Sequence, residues 1–220
     1  MTNERFSGEI RKAVDVLRKD GLVIFPTDTV YGLAASANSK LAVEKIYKLK
    51  QRPKDKPFII FVPDVDFLKK LKIKITPKIE KLLDAFWPGA VTFIFKKIPL
   101  NPPFSKGEMK NNTLFSKGER RGLKKIAVRI PEHPVVLAVL KEFNGSLAVT
   151  SANVSGKESP FDFNQIEAGI LENVELAISA GRCPFSRVST IVNVSEKELK
   201  ILREGAIPAE EILKVWTKLN

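Results

Sequence analysis

The sequence predicts an α/β domain whose sheet is largely covered by helices. Short apolar runs typical of buried strands alternate along the chain with segments whose apolar residues recur at helical spacing. The chain has 220 residues, of which 44% are hydrophobic and 28% charged. This length and composition suit one sizeable globular domain, so we expect a single domain over residues 1–220.

The predicted strands are short apolar runs bounded by Gly, Pro or polar residues. Most are rich in branched or aromatic side chains, which favour extended backbone in a half-buried sheet. They are Leu22–Phe25, Phe58–Val62, Ala90–Phe95, Ile126–Ile130, Leu147–Thr150, Glu175–Ser179, Val188–Val194 and Leu199–Leu202.

The predicted helices follow from apolar faces and from start and stop signals. Ser7 can cap the first helix, which Gly21 would end, and Ser39 can cap the second. Thr76 and Pro77 mark another start, because proline is favoured at the first helical position. Two further helices are expected over Pro134–Phe143 and Pro208–Leu219.

One segment, at about 99–122, interrupts this alternation. It is rich in Pro, Gly, Asn and Lys and contains the pentapeptide FSKGE twice, at Phe104–Glu108 and Phe115–Glu119. Such a composition cannot bury a core. We interpret it as a low-complexity loop inserted between two strands, since long loops tolerate extra sequence at small entropic cost. A basic arm that touches RNA is the functional alternative.

The single cysteine and the single histidine limit the chemistry. Cys183 cannot form an internal disulfide and fits a reducing compartment. With His133 the only histidine, the sequence argues against a zinc site and a Ser-His-Asp triad, and we predict no protein-bound metal. No apolar run approaches the ~20 residues of a membrane span, and the N-terminus lacks a signal-peptide core. We therefore expect a cytoplasmic protein with no membrane association.

The chain is strongly basic, with a net charge of +12 and a pI of about 9.7. This charge favours polyanionic partners such as nucleic acid, nucleotides or anionic membranes. A lysine-rich solvated surface explains the total equally well. The placement of particular cations is therefore more informative than their sum.

The stretch over residues 25–58 combines a hydroxyl-rich turn with a group of cations. The turn PTDTVYG follows an apolar strand, and the next helix ends in the sequence KQRPKDKP. A helix C-terminus favours cations, which would explain a single lysine. Two prolines stiffen this run and would hold Lys50, Arg52 and Lys56 in fixed directions. The stretch predicts one wall of a site for a small anion.

Three later places could supply the opposite walls. The loop TSANVSG presents Ser151 and Asn153 after a buried strand, where small polar residues suit close approach of a phosphate or ribose. Arg129 lies among apolar residues, and a buried arginine needs an anionic partner from the protein or from a ligand. The sequences VSTIV and LREG place further hydroxyls and Arg203 at strand ends. The common glycine-rich phosphate motifs are absent, so side chains and turn amides would have to form the anion site.

Taken together, these motifs resemble the YrdC family, also called TsaC. PTDTVYGL, KQRPKDKPF, WPGAVTF, VRIPEHP, TSANVSG, STIV and LREG occur in the order and spacing of that family, from about Gly21 to Gly205. The resemblance implies an α/β fold: a single-domain YrdC-like twisted mixed sheet with flanking helices around a deep basic cavity. It also implies the short form of the family, without a further C-terminal domain.

The resemblance implies an L-threonylcarbamoyladenylate synthase, a nucleotidyltransferase. Such an enzyme forms threonylcarbamoyl-AMP and pyrophosphate from L-threonine, bicarbonate or CO2, and ATP, with Mg²⁺ accompanying the ATP. The expected partners are these substrates and a downstream threonylcarbamoyl-transfer complex that completes the t6A modification of tRNA. The resemblance also allows direct contact between this chain and tRNA.

The family motifs carry residue roles onto this sequence. They imply catalytic Lys50 and Arg52, with Arg129 pairing with the carboxylate of threonine. The threonine-binding set is Thr29, Arg129, Val149 and Ser189, and the nucleotide-binding set is Lys50, Arg52, Lys56, Ser151, Asn153, Ser159 and Arg203.

Some positions depart from the family pattern. Phe61 stands where many members have His, Lys125 where a small hydroxyl residue is common, and Ser179 begins Ser-Ala-Gly in place of Asp-Gly-Gly. These departures concern the threonine side more than the nucleotide side. The alternative function is an RNA-binding or ribosome-maturation factor that docks RNA on the basic cavity. Only 8% of residues are aromatic, and no basic–aromatic platform for RNA is visible.

Overall fold

The computed structural model describes residues 6–96 and 125–219. Within these residues nine strands form one mixed sheet in the order β7-β1-β2-β6-β3-β5-β4-β8-β9. The expected α/β architecture is therefore confirmed. The insertion predicted at about 99–122 lies outside the described residues.

The strands are short and most are buried. In chain order they are β1 (Val23–Phe25), β2 (Gly32–Ser36), β3 (Ile59–Phe61), β4 (Val91–Lys96), β5 (Lys125–Arg129), β6 (Leu147–Ser151), β7 (Leu176–Ala177), β8 (Thr190–Asn193) and β9 (Lys200–Arg203).

Seven α-helices flank the sheet in the described part of the chain. They are α1 (Ser7–Arg18), α2 (Lys40–Leu49), α3 (Phe67–Lys70), α4 (Pro77–Phe86), α5 (Pro134–Phe143), α6 (Ala168–Leu171) and α7 (Ala209–Lys218). None of the helices among residues 6–96 and 125–219 has the length and apolar character needed to cross a membrane.

The sheet has an apolar cluster on each face. Alternate residues of β1 illustrate the division, because Ile24 belongs to one cluster and Val23 and Phe25 belong to the other. Helices α1 and α5 pack together on the Phe25 side, whereas α2, α4 and α7 contribute to the Ile24 side. Both faces are therefore covered, as the apolar runs predicted.

Every predicted strand is present, with boundaries that differ by up to two residues. Strand β2 was not predicted, because its sequence GLAAS contains no β-branched or aromatic residue and is mostly made of small ones. It is a strand because β1 and β6 pair with it on both sides. Gly32 also allows close packing, since a Cβ there would lie 3.0 Å from Cγ1 of Val149.

Two of the helix caps are confirmed and one is wrong. Ser39 accepts a hydrogen bond from the backbone N–H of Ala42, and Thr76 caps α4 through the N–H of Ile79. Ser7 is the first helical residue of α1 and not its cap. That helix ends at Arg18, and Asp20 rather than Gly21 takes the left-handed conformation after it.

Strands β4 and β5 suggest that the intervening chain is dispensable for folding. They pair antiparallel up to Lys96 opposite Lys125, so the chain leaves and re-enters the sheet at neighbouring positions. We predict that replacing residues 97–124 with Asn-Gly, a sequence suited to a two-residue hairpin, preserves the fold. The circular dichroism spectrum should be retained and thermal unfolding should stay cooperative. A variant that no longer unfolds cooperatively would contradict this.

Thr190 fastens the chain after β9 to strand β8. Its Oγ1 accepts hydrogen bonds from the backbone N–H groups of Gly205 (3.0 Å) and Ile207 (3.2 Å) and donates to the carbonyl of Ile207 (2.5 Å). Gly205 packs so closely that a Cβ would lie 2.2 Å from the carbonyl oxygen of Val188.

We predict that Thr190→Val lowers the free energy of unfolding by about 1–3 kcal/mol, because it leaves these buried groups without partners. Urea denaturation measures the change. Thr190→Ser keeps the hydroxyl and serves as the control, which should lose much less stability. Equal losses in the two variants would show that the methyl group, and not the hydrogen bonds, is responsible.

Candidate active site

A hydroxyl-rich turn between β1 and β2 forms one wall of the candidate site. Oγ1 of Thr27 accepts hydrogen bonds from the N–H groups of Thr29 (3.0 Å) and Val30 (3.2 Å), and it donates to the carbonyl of Val30 (2.7 Å). The two threonine hydroxyl oxygens lie 2.9 Å apart. The sequence places a polar side chain at the end of a buried strand, and the turn closes on that side chain.

Arg129, at the end of β5, is buried against this turn. Its guanidinium donates to Oδ1 of Asp28 (2.6 Å), to Oγ1 of Thr29 (2.8 Å) and to the carbonyl of Gly89 (2.8 Å). Both partners of the Asp28–Arg129 ion pair are 3% exposed at their side chains. The anionic partner that the sequence required is therefore supplied by the protein. Burial lowers the pKa of Arg129, and the Asp28 carboxylate opposes that shift.

The turn and Arg129 line a cavity of about 210 Å³. Its lining comes from segments far apart in sequence, because strands β6, β3 and β5 are adjacent in the sheet and β8 follows beyond β4. The polar lining residues are Thr27, Thr29, Tyr31, Arg52, Arg129, Thr150, Ser151, Ser159, Ser189 and Arg203. The other lining residues are Val30, Gly32, Pro57, Ile59, Phe61, Val149, Val188 and Ile191.

Arg52 lines the cavity on the side of the cationic run. Its guanidinium donates to the carbonyl of Pro57 (2.7 Å) and contacts Oγ1 of Thr150 (3.4 Å). The guanidinium also lies over the ring of Phe58, 5.2 Å from the ring centre. These contacts fix its direction, as the stiff proline-containing run predicted. Desolvation lowers the pKa of Arg52.

Arg203 reaches the cavity from the edge strand β9. Its guanidinium donates twice to the carbonyl of Ser189, at 2.8 and 3.1 Å, and contacts Oγ of Ser189 at 3.3 Å. Oγ of Ser189 also lies 2.9 Å from Oγ1 of Thr92. Desolvation, together with the positive charge of Arg129, lowers the pKa of Arg203.

The charge balance of the three arginines differs. Arg129 is paired with Asp28, whereas neither Arg52 nor Arg203 has a carboxylate within ion-pair distance in the described residues. Two fixed guanidinium groups without a counter-ion can bind an anion such as a phosphate group. The predicted cavity with cationic walls is present. Its depth and its net positive potential stay predictions.

Lys50 does not line the cavity. The residue is 1% exposed, and its Nζ donates to the carbonyl oxygens of Ser151 and Asn153 and to Oδ1 of Asn153 (3.1 Å). The ammonium group thus supports the 151–153 loop from beneath. Burial, and to a smaller extent the charge of Arg52, lowers the pKa of Lys50 to about 7. Its catalytic and nucleotide-binding roles stay predictions.

The structure brings most of the other predicted site residues together. Val149, Ser151 and Ser159 line the cavity, and Ser159 also borders a neighbouring cavity of about 310 Å³. Asn153 borders only that second cavity, and its amide donates to the carbonyl of Lys157 (2.6 Å). Lys56 is exposed and lines neither cavity.

Some residues of the site were not assigned to it from the sequence. Asp28 and Thr27 belong to the hydroxyl-rich turn, but nothing in the local sequence identifies which arginine the Asp28 carboxylate contacts. Ile191 lines the cavity because of its position on β8. Its neighbour Thr190 is fully buried, and this alternation along the strand was the available signal.

The comparisons with known proteins agree with this geometry. A family model described as telomere recombination, for Sua5, YciO and YrdC, matches residues 15–205. The chain belongs to the Sua5/YciO/YrdC family. It is 34% identical over 207 residues to the threonylcarbamoyl-AMP synthase of Pyrococcus abyssi, covering 94% of this chain and 57% of the relative. It therefore spans little more than half the length of that relative.

A second relative and a solved structure agree with this assignment. The threonylcarbamoyl-AMP synthase of an Enterobacter species is 31% identical over 158 residues, which cover 71% of this chain and 76% of the relative. The crystal structure of P. abyssi Sua5 complexed with L-threonine superposes with a TM-score of 0.81 at 34% identity, covering 94% of this chain and 56% of that one. The predicted family is thus confirmed.

The lowered pKa of the buried Lys50 amine predicts how the stability of this family member depends on pH. Its pKa falls from 10.5 in the unfolded chain to about 7 in the folded one, so between these values the folded state binds fewer protons. The free energy of unfolding should therefore rise with pH across this window, and the gain should be absent in Lys50→Met. Urea denaturation of both proteins from pH 7 to pH 10 measures the difference.

Parallel curves for the two proteins would contradict this expectation. An ammonium group has three N–H donors, and three acceptor oxygens surround Nζ of Lys50. Parallel curves would mean that these acceptors, rather than desolvation, determine the charge state.

Proposed function

We propose that this protein forms threonylcarbamoyl-AMP and pyrophosphate from L-threonine, bicarbonate or CO2, and ATP. One observation carries the proposal: a single cavity joins an internally paired arginine, Arg129, to two arginines without a counter-ion, Arg52 and Arg203. The synthase names of the similar proteins support this reaction over the RNA-binding alternative.

The amino acid would occupy the end of the cavity formed by Arg129, Thr29 and Ser189. Each of the three hydrogen bonds that the Arg129 guanidinium donates uses one N–H group, which leaves two of its five for a carboxylate. Apolar residues, among them Val149 and Ile191, line the same cavity and suit the methyl group of threonine. The neutral Asp28–Arg129 pair would bind a zwitterion without an excess of positive charge.

The triphosphate would lie between Arg52 and Arg203. The hydroxyl group of Ser159 lines the cavity and can donate to phosphate oxygens, whereas Ser151, which also lines it, donates its hydroxyl proton to Oδ1 of Asn153. The second cavity, which Ser159 shares, offers room for the rest of the nucleotide. Lys50 would act here by holding the 151–153 loop.

The chemistry then needs little from the protein beyond placement and charge. The ammonium group of threonine first releases a proton to solvent. The neutral amine then adds to CO2 and releases a second proton to solvent, which gives a carbamate. A carbamate oxygen attacks the α-phosphorus of ATP, the bond to the bridging oxygen breaks, and pyrophosphate leaves. Because the nucleophile is already an anion, this step requires no strong base. Arg52 and Arg203 would stabilise the charge that develops on the phosphoryl oxygens.

Magnesium would arrive with the nucleotide. The cavity lining in the described residues supplies hydroxyl groups and no carboxylate. This suits Mg²⁺ held by phosphate oxygens and water, which is its usual state on ATP. The bound ion would neutralise phosphate charge. We further propose that a separate transfer complex consumes the product in the t6A modification of tRNA, in the cytoplasm.

The first experiment measures pyrophosphate release from MgATP by the purified protein. Release should require both L-threonine and bicarbonate, and omission of either should reduce it to background. The adenylate product should be detected by mass spectrometry in the complete mixture. Release that continues without threonine would refute the proposed reaction.

A second experiment tests the phosphate role of Arg52. Arg52→Gln should lower kcat/KM for ATP about 100-fold or more, because the developing charge loses a fixed cation. Lys54→Gln is the matched control: Lys54 belongs to the same run, pairs with Glu44 and is absent from the cavity lining. Its kinetics should match the wild type. Similar losses in both variants would indicate a general effect of charge instead of a phosphate contact.

A further inference from the structure

A loop at residues 151–157 contributes to the walls of both cavities. Ser151 lines the first cavity, whereas Asn153 and Lys157 border the second. Asn153 organises the loop from within, because its Oδ1 accepts the hydroxyl proton of Ser151 (2.5 Å) and its amide donates to the carbonyl of Lys157 (2.6 Å). A change in the position of this loop would therefore alter the shape of both cavities.

Lys50 holds the inner side of the 151–157 loop. Its ammonium group donates to the carbonyl oxygens of Ser151 and Asn153 and to Oδ1 of Asn153 (3.1 Å). The backbone carbonyl of Lys50 also accepts from the N–H of Ser155 (3.1 Å). An ammonium group has three N–H donors, whereas a neutral amine has two, so all three side-chain contacts require the charged form.

Glu167 holds the outer side of the same loop. The residue is the N-cap of the short helix α6, but its side chain makes no capping hydrogen bond. Instead Oε2 accepts from Nζ of Lys157, and Oε1 accepts from the N–H of Val154 at 3.4 Å. The carboxylate thus joins α6 to two positions of the loop.

The charge of Glu167 also affects Lys50. Desolvation and the charge of Arg52 lower the pKa of Lys50, and the Glu167 carboxylate opposes that shift. In turn, the hydrogen bond from Lys157 and, to a smaller extent, the positive charge of Lys50 lower the pKa of Glu167. Each of the two groups therefore favours the charged form of the other.

We propose that Glu167 is a positioning residue, which fixes the outer side of the 151–157 loop while Lys50 fixes its inner side. The inference rests on the proposed function, because it takes this loop as part of the nucleotide site. Glu167 acts through its contacts with Lys157 and Val154 and through its charge, so it need not touch the nucleotide.

The sign of the effect distinguishes this role from that of a simple charge. Glu167 borders the second cavity, so its carboxylate repels a triphosphate, and neutralisation alone should lower the KM for ATP. Loss of the loop contacts should do the opposite. We expect Glu167→Gln to raise the KM for ATP about three- to tenfold, the usual range for one lost hydrogen bond, and to leave the KM for L-threonine within about twofold.

Glu158→Gln is the matched control. Glu158 borders the same cavity and has no ion-pair partner among residues 6–96 and 125–219. Its neutralisation should lower the KM for ATP or leave it within about twofold. A KM for ATP that does not rise in Glu167→Gln, or that rises equally in both variants, would overturn the positioning role.

A second test does not depend on turnover. The pKa of Lys50 is about 7 in the folded chain, and removal of the Glu167 charge should lower it further. The pH window over which stability rises should therefore begin at a lower pH in Glu167→Gln than in the wild type, whereas Glu158→Gln should match the wild type. Urea denaturation from pH 5 to pH 10 measures these windows.

Coincident windows in Glu167→Gln and the wild type would overturn the link between Glu167 and Lys50. Threonine-dependent pyrophosphate release by the wild type tests the proposed function separately.

Discussion

The buried pair of Asp28 and Arg129 is the interaction on which the rest of the site depends. Arg129 ends a central strand, and its guanidinium holds two separate pieces of chain: the turn at Asp28 and Thr29, and the segment at Gly89 before β4. Loss of one partner of such a pair typically costs about 3–5 kcal/mol, because the other charge is left buried. The geometry of the cavity is therefore set by the same contacts that keep this cation in the core.

The pairing of Arg129 with Asp28 leaves Arg52 and Arg203 as the two uncompensated cations of the cavity lining. A cavity with three free cations would attract any small anion, whereas here one charge is cancelled within the protein. The remaining two, Arg52 and Arg203, are held by carbonyl oxygens, which direct the guanidinium groups without neutralising them. The cost of fixing and partly desolvating these cations is met during folding, so a phosphate-bearing ligand finds them already oriented.

Sequence patterns predicted the sheet more completely than the directions of side chains. Strands made of branched apolar residues can be predicted from their own sequence. Strand β2 at Gly32–Ser36 cannot, because it forms only through pairing with β1 and β6. The sequence indicates that Arg129 needs an anionic partner, but it does not identify Asp28, which lies 101 residues away, as that partner. Lys50 and Arg52 are two positions apart, yet the first supports a loop and the second lines the cavity. A motif records neighbours along the chain, and only the packed structure decides which way each one points.

The origin of the cavity lining has a consequence for stability. Residues from the first third of the chain, such as Thr29 and Arg52, meet residues from its last third, such as Ser189 and Arg203. A bound ligand would therefore bridge segments that separate on unfolding, and its binding energy would be added to the stability of the whole sheet. With ligand at 100 times its Kd, this addition is about 2.7 kcal/mol. For a marginally stable protein, supply of substrate would then govern how long the folded molecule survives as well as how fast it works.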